Sequence, residues 1–155
     1  MSVSLEQLLY QGLLADAAVT ALLGVDAGNN PAIYDKQLPQ QTFATFASTA
    51  NFTAGVFNRI SSPSLFAHGA GAAQGNTGRA HFTLEFWSNS SEGTVLLDSL
   101  NRAIKSFFQS FSAWGSPAST NPGFFSYSAR TGIEAQMQPT LQKLFIDVQF
   151  WFSDQ

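Results

Sequence analysis

The chain has 155 residues, among them seven basic and ten acidic residues, 15 Phe, three Tyr, three Trp and no cysteine. Charged residues make up 11% of it, less than half the roughly 25% of ordinary soluble domains. The net charge of −3 excludes the basic footprint of a protein that grips nucleic acid through its phosphates, and the lack of cysteine excludes disulfides, thiolate nucleophiles and zinc–thiolate sites.

The N-terminal part of the sequence predicts a helix, a break and a short second helix. Leucines recur at steps of three and four residues between Ser4, a possible N-cap, and Leu23. Asp16 is placed to cap the second helix and Gly24 to end it. The segment has neither a basic n-region nor a long apolar core, so we expect a soluble protein made in a cytoplasm.

The next part of the sequence is rich in turn residues and alternates between extended and undefined segments. A short apolar run at 32–34 predicts a brief extended piece, whereas residues 40–53 carry interspersed Phe and no clear period. Residues 54–62 predict a strand that ends at Pro63. The glycine-rich segment 63–78 predicts a flexible loop or the tip of an extended hairpin.

The second half of the chain carries the strongest periodic signals. Residues 79–87 alternate as a strand, and a broad apolar stripe from Leu96 to Phe111 predicts a helix. After a loop at 112–122, residues 123–130 predict a strand with a turn or bulge at 131–132. The run from Thr140 to Phe152 alternates most strictly, which predicts a final strand.

Together these elements predict an α+β fold, with one mostly antiparallel sheet of about four strands and two amphipathic helices packed on it. The whole chain, 1–155, is predicted to form a single domain. One face of the sheet carries Trp87, Phe145 and Trp151, where a solvated face would be polar. Either the segment 40–53 or another subunit must therefore cover that face.

No constellation in the sequence predicts catalysis. The glycines at 69–75 precede a strand rather than a helix, so they do not match a phosphate-binding loop. His68 and His81 have no acidic cluster beside them beyond Glu85, and no serine lies in a nucleophile elbow. Glu85 and Asp147 are predicted on outward strand positions, where solvated or ion-paired roles are the default. We predict no catalytic, cofactor-binding or metal-binding residue, and therefore no enzyme.

The sequence resembles the tail terminator, or tail-completion, proteins of long-tailed bacteriophages. The matching pieces run through nearly the whole chain, while residues 40–53 and 112–122 depart from the pattern. These pieces are LLYQGLLADAAVTALLG, IYDKQLPQ, VFNRISS followed by a glycine-bearing loop, RAHFTLEFWSNSSEGTVLLDSLNRAI and LFIDVQFWF.

The resemblance implies a structural virion protein with no catalytic role, located in the tail or neck and assembled in the host cytoplasm. Such a protein forms a ring, six-membered in the family, at the head-proximal end of the tail tube. There it ends tube polymerisation and joins the tail to the head connector. Its implied partners are copies of itself, the tail tube protein and the connector or stopper protein, with no membrane, no sequence-specific nucleic acid and no cofactor. The mildly acidic balance suits a lumen through which DNA passes.

The scarcity of charge and the surplus of rings suit contact surfaces, since interfaces favour aromatic residues and exclude charge from their centres. The candidate interface residues are Phe66, His68, Arg79, Trp87, Trp114, Phe145 and Trp151. Another neck component or a tail tube subunit would share these features and is the main alternative. A small-molecule-binding or hydrolytic α+β domain is a further one, and a deep apolar pocket with convergent polar groups would favour it.

Overall fold

A computed structural model describes residues 5–26, 28–66, 76–110, 125–134 and 141–154 of the chain. It has an α+β architecture in which helices cover both faces of one five-stranded sheet. The elements in chain order are α1 (Leu5–Ala15), α2 (Ala17–Thr20), β1 (Ile33–Asp35), α3 (Gln40–Ser48), β2 (Thr53–Phe66), β3 (Asn76–Ser88), α4 (Gly93–Ser110), β4 (Phe125–Glu134) and β5 (Leu141–Asp154).

The N-terminal helices follow the predicted pattern of helix, break and short helix. Between α1 and α2 lies Asp16, whose carboxylate accepts the backbone N–H groups of Ala18 at 2.9 Å and Val19 at 3.3 Å. These bonds satisfy donors that a helix start leaves without partners. The predicted capping role of Asp16 is confirmed.

The strands lie in the order β1-β2-β3-β5-β4. Only β1 and β2 run parallel, and the other neighbours are antiparallel. The expected sheet of about four strands therefore gains a fifth, because the short extended piece predicted at 32–34 pairs with β2. This pairing makes the sheet mixed rather than wholly antiparallel.

The main core lies between one face of the sheet, the core face, and helices α1, α2 and α4. Apolar residues of β3 and β5 alternate as predicted, and the broad stripe of α4 meets them. The apolar side chains that β3, α4 and β5 contribute to this core are Phe82, Leu84, Phe86, Leu97, Leu100, Ile104, Phe107, Phe108, Leu144, Ile146 and Val148. Burial of an apolar side chain of this size stabilises the fold by about 1.5–3 kcal/mol, so this layer dominates its stability.

The structure corrects the predicted end of the strand at Pro63. Strand β2 continues to Phe66 and pairs with β3 up to Thr77. Proline is tolerated there because it lies between Ser61 and Ser64, where the register shifts, and because β1 flanks β2 only as far as Phe57. Of the two alternatives predicted for residues 63–78, the paired strands support the extended hairpin, because both ends of the segment belong to β2 and β3. Residues 67–75 lie outside the described residues.

The structure also corrects the turn predicted at 131–132. Strand β4 continues through both residues to Glu134, and its register with β5 has no shift. A Cβ atom added to Gly132 would meet nothing within 4 Å. This glycine therefore marks an open strand edge rather than a bend, and nothing in the strand pairing requires its conformational freedom.

Residues 40–53, whose state the sequence left undefined, contain α3. This helix lies on the face of the sheet opposite the core face, here called the second face. Its Phe46 packs edge-on against Phe52, with ring centroids 5.1 Å apart. Both belong to a smaller buried cluster with Ala32, Ala54 and Leu141.

Asn89 connects α3 to the end of β3. Its side-chain amide donates to the carbonyl groups of Phe46 at 2.8 Å and Thr49 at 2.6 Å, and its Oδ1 accepts the N–H of Phe52 at 2.7 Å. Asn89 thus satisfies the end of α3 and the start of the following chain with one side chain.

Candidate interaction surface

The second face of the sheet carries two of the aromatic residues that the sequence singled out, Trp87 and Phe145. The register places Trp87 opposite Lys143 and Phe145 opposite Glu85, so all four side chains share this face. The predicted division of aromatic residues between two faces of the sheet is therefore present along the central strands.

Helix α3 covers one end of this face. Trp87 is partly buried and packs against the cluster formed by Phe46, Phe52 and their neighbours. Of the two covers that the sequence allowed, a subunit or the segment 40–53, the segment itself covers Trp87. This residue has a structural role within the chain before any partner is considered.

The other end of the second face combines rings with charged groups. The guanidinium carbon of Arg130 lies 4.4 Å from the centroid of the Phe145 ring. Lys143 lies 3.3 Å from Glu85 and 5.4 Å from the centroid of the Trp87 ring. Contacts of this kind keep a cation partly desolvated over an aromatic face and contribute about 0.5–1 kcal/mol at exposed sites.

A polar pair continues this face towards the β2–β3 hairpin. Nε2 of His81 hydrogen-bonds to Oδ1 of Asp147, and both side chains are partly buried. The outward strand positions and paired role expected for Asp147 and Glu85 are confirmed, since Glu85 is paired with Lys143. In the described part of the chain, no group of three His, Asp or Glu side chains lies close enough to hold a metal ion.

The two edge strands of the sheet differ in how their backbones are satisfied. On either side of β1, the Ala32 carbonyl accepts a hydrogen bond from β2 and the Lys36 N–H donates one to β2. Ile33 and Asp35 themselves therefore face outwards. The Ile33 carbonyl accepts the Tyr10 hydroxyl at 2.8 Å, and the Ile33 N–H donates to the Pro31 carbonyl at 2.8 Å. Strand β1 is short, and its outer side is largely closed.

Strand β4 is long and exposed. All six residues from Ser128 to Ile133 are exposed, on both faces of the sheet, and Ile133 retains 69% of its accessible surface. No described strand pairs with its outer side. Native proteins blunt such edges with short strands, bulges, proline or charge, and the ten residues of β4 contain two charged residues, Arg130 and Glu134, but no proline and no register shift.

Open grooves flank the end of β4 on either side of the sheet. On the core face, the groove between α4 and β4 is lined by Leu97, Thr131 and Ile133. On the second face, Arg130 and Phe145 line its counterpart. A strand that bound beside β4 would place alternate side chains above and below these two grooves.

Each edge strand is attached to a helix by a tyrosine hydroxyl. Tyr10 of α1 bonds to β1, and Tyr127 of β4 bonds to the carbonyl oxygen and side chain of Asn101 in α4. Burial raises the pKa of Tyr127 well above its usual range. Burial also raises the pKa of Tyr10, and the charge of Asp35 adds to this effect. Both phenols therefore stay protonated donors at neutral pH.

The predicted interface residues fall into three groups. Trp87 and Phe145 lie on the second face, where Trp87 packs beneath α3 and Phe145 lies beside Arg130. Phe66, Arg79 and Trp151 lie in the paired strands β2, β3 and β5, and their side chains lie outside the described residues. His68 and Trp114 also lie outside the described residues. None of the predicted interface residues lies in β4, because the exposure of a strand edge does not change the hydrophobic periodicity of the sequence.

No helix within the described ranges is long and apolar enough to cross a bilayer. No protein-family model matches the sequence, and no curated protein matches it. A solved structure has a similar fold: a chain of "Virion of native gene transfer agent (GTA) particle" superposes with a TM-score of 0.52 and 14% sequence identity. The similarity covers 97% of this chain and 96% of that one. At this level of identity, the likeness shows that the two chains share a fold from end to end.

Proposed function

We propose that this chain is a structural subunit of a phage-like virion and has no catalytic activity. The observation that carries the proposal is the end-to-end fold similarity to a chain of a gene transfer agent virion particle, which leaves almost no part of either chain unmatched. The exposed edge of β4 supports it, because a long open strand in a soluble protein is a site of association.

Within the virion, the resemblance to tail terminator proteins makes a ring at the head-proximal end of the tail tube the specific proposal. The ring, six-membered by that resemblance, ends tube polymerisation and presents a surface to the head connector. Its partners are further copies of this chain, the tail tube protein and the connector or stopper protein. A cyclic ring needs two different surfaces on each subunit, and the two unlike edges of the sheet meet that requirement.

Another neck component or a tail tube subunit is the alternative within the same class. A tube subunit stacks on itself into long polymers, whereas a terminator forms one ring per tail. Both alternatives share the ring and the apolar interfaces, so position in the particle distinguishes them from a terminator.

Electron microscopy of particles that carry an affinity tag on this chain tests the proposal. One ring of labelled density where the tail meets the head is the expected result. Label along the whole tube would identify a tube subunit, and label elsewhere in the neck would identify another connector. Purified particles that contain no copy of the chain would contradict a virion role altogether.

A further inference from the structure

Two backbone edges of the five-stranded sheet have no described strand beside them, and they lie on opposite sides. One is the outer side of β4. The other is the outer side of β2 from Asn58 onwards, because β1 ends at Asp35 and the Lys36 N–H makes the last contact, to Phe57. No described strand lies beside either stretch. They contain ten and nine residues, and Pro63 with the two register shifts of β2 interrupts the regular ladder that the second stretch can offer.

We propose that β4 of one copy pairs antiparallel with the outer side of β2, residues 58–66, of the next copy, so that the sheet continues across the subunit boundary. The occupant of the β4 edge is thus a second copy of this chain. This inference rests on the proposed ring and specifies its contact. It requires backbone hydrogen bonding along β4 and uses the exposed Ile133 as an apolar anchor beside it.

Strand directions support the pairing. Strand β4 is antiparallel to β5, β5 to β3, and β3 to β2, so β4 and β2 run in opposite directions within one chain. Two copies that lie side by side in the same orientation therefore bring β4 against the neighbour's β2 as an antiparallel pair. Such a contact uses different surfaces on the two copies and repeats, as a ring requires.

The position of β1 sets the offset between copies. One row across the sheet joins Asn58, Thr83, Asp147 and Ser128. Without an offset, the part of β4 beyond Ser128 would collide with the neighbour's β1. A shift that brings Glu134 level with the neighbour's Asn58 avoids the collision and amounts to about 20 Å along the strand. Over the four strands from β2 to β4, about 19 Å wide, this shift tilts the strands by about 45°. Strands of closed sheets tilt by about 35–45°.

Cysteine cross-linking tests the contact, because the natural chain contains no cysteine. The double variant Gly132→Cys/Asn58→Cys is assembled into particles and treated with a short bifunctional maleimide. Within one chain the two positions are three strands apart, about 14 Å, and four residues apart along the strand, about 13 Å, which is too far for a short linker. Between copies, the offset places Gly132 beside the neighbour's β2, two residues from Asn58.

We expect a ladder of covalent oligomers on a denaturing gel, since each copy links to two neighbours. The control variant Val95→Cys/Asn58→Cys, with its first cysteine on an exposed position of α4, gives no ladder. A dimer from Gly132→Cys alone would mean that two β4 strands pair, which overturns the inference. Rings that are visible by microscopy but give no ladder would overturn this contact and leave the proposed function standing. If the chain forms no ring, both fall.

A second, independent variant is Ile133→Lys, which places an ammonium group beside the strand edge. Ile133 is 69% exposed, so the subunit still folds. We expect the ring population, measured by native mass spectrometry, to fall by about tenfold or more. Val95→Lys is the matched control, because Val95 is 68% exposed and does not line the groove beside β4. Equal loss of rings in the two variants would contradict a specific role of the β4 edge.

Discussion

The two edge strands of the sheet show opposite ways of ending a β-sheet. Strand β1 has three residues, its Ile33 is 2% exposed, and its outward backbone groups bond to Tyr10 and Pro31. Strand β4 has ten residues, and six of them in succession are exposed. The comparison shows that this chain closes the outer side of β1 and leaves the outer side of β4 available for a strand of another molecule. Both strands contain an isoleucine and no proline, so their composition does not explain the difference. It arises from the residues that lie beside each strand in the fold.

Truncation of the isoleucine on each edge should separate the two most clearly. Ile33→Ala removes a fully buried side chain, so we expect it to lower the free energy of unfolding by about 2–5 kcal/mol. Ile133→Ala removes an exposed one and should change it by less than about 0.5 kcal/mol. Urea unfolding of dilute, monomeric protein measures both. Similar losses at the two positions would show that β4 is also a closed edge.

Removal of the Tyr10 hydroxyl should weaken the closed edge specifically. Tyr10→Phe leaves the ring in place but deprives the Ile33 carbonyl of its partner, which should cost about 1–3 kcal/mol. Amide exchange in β1 should accelerate while exchange in β4 stays unchanged. Tyr34→Phe is the control, since this hydroxyl has no hydrogen-bond partner among the described residues. If Tyr10→Phe proves as mild as the control, the hydroxyl does not hold β1.

Alkaline pH should loosen both edges together. The pKa values of Tyr10 and Tyr127 are raised in the folded chain above the unfolded value of about 10. The folded state therefore holds these protons more tightly than the unfolded state. The tyrosine contribution to stability is fully present below pH 10 and is lost as the pH rises above it. The double variant Tyr10→Phe/Tyr127→Phe should show a shallower loss between pH 10 and 12 in thermal unfolding. A slope identical to that of the natural chain would contradict this assignment.

Replacement of the one basic residue of β4 should have only a small effect on folding. Arg130→Met keeps the length of the side chain but removes the cation over the Phe145 ring, so we expect a loss of about 0.5–1 kcal/mol in urea. A loss above about 2 kcal/mol would mean that Arg130 organises the monomer. In that case the open edge would be part of the subunit's own stability rather than a surface reserved for a partner.

The periodic elements could be predicted from the sequence because each has one face against the main core. In β3 and β5, Phe82, Leu84, Ile146 and Val148 alternate with polar residues, and the pattern states the strand phase directly. In α4 the apolar stripe is broad enough for the helical spacing of its residues to be recognised in the sequence. Patterns of this kind depend only on which side of an element faces the core, so they predict the element without knowledge of the topology.

Other features could not be predicted because they depend on contacts between distant residues. Helix α3 has a weak pattern, since it covers only one end of the second face and is tied there by Asn89, some 40 residues away. Pro63 and Gly132 stand within strands because each occupies an open edge, which topology alone decides. The same applies to the candidate contact, since backbone exposure along β4 follows from the strand order.

The attachment of α3 to the second face depends on three hydrogen bonds of Asn89, so it is sensitive to deamidation, the slow hydrolysis of an asparagine side-chain amide. Asn89 precedes Ser90, and hydrolysis of its side-chain amide would exchange the donor NH₂ for a carboxylate oxygen. That oxygen would face the carbonyl oxygens of Phe46 and Thr49, which are both acceptors. One slow deamidation would thus turn the attachment of α3 into a repulsion and uncover Trp87. Asn89→Asp reproduces the aged state, and faster amide exchange across residues 40–48 would reveal the release of the helix.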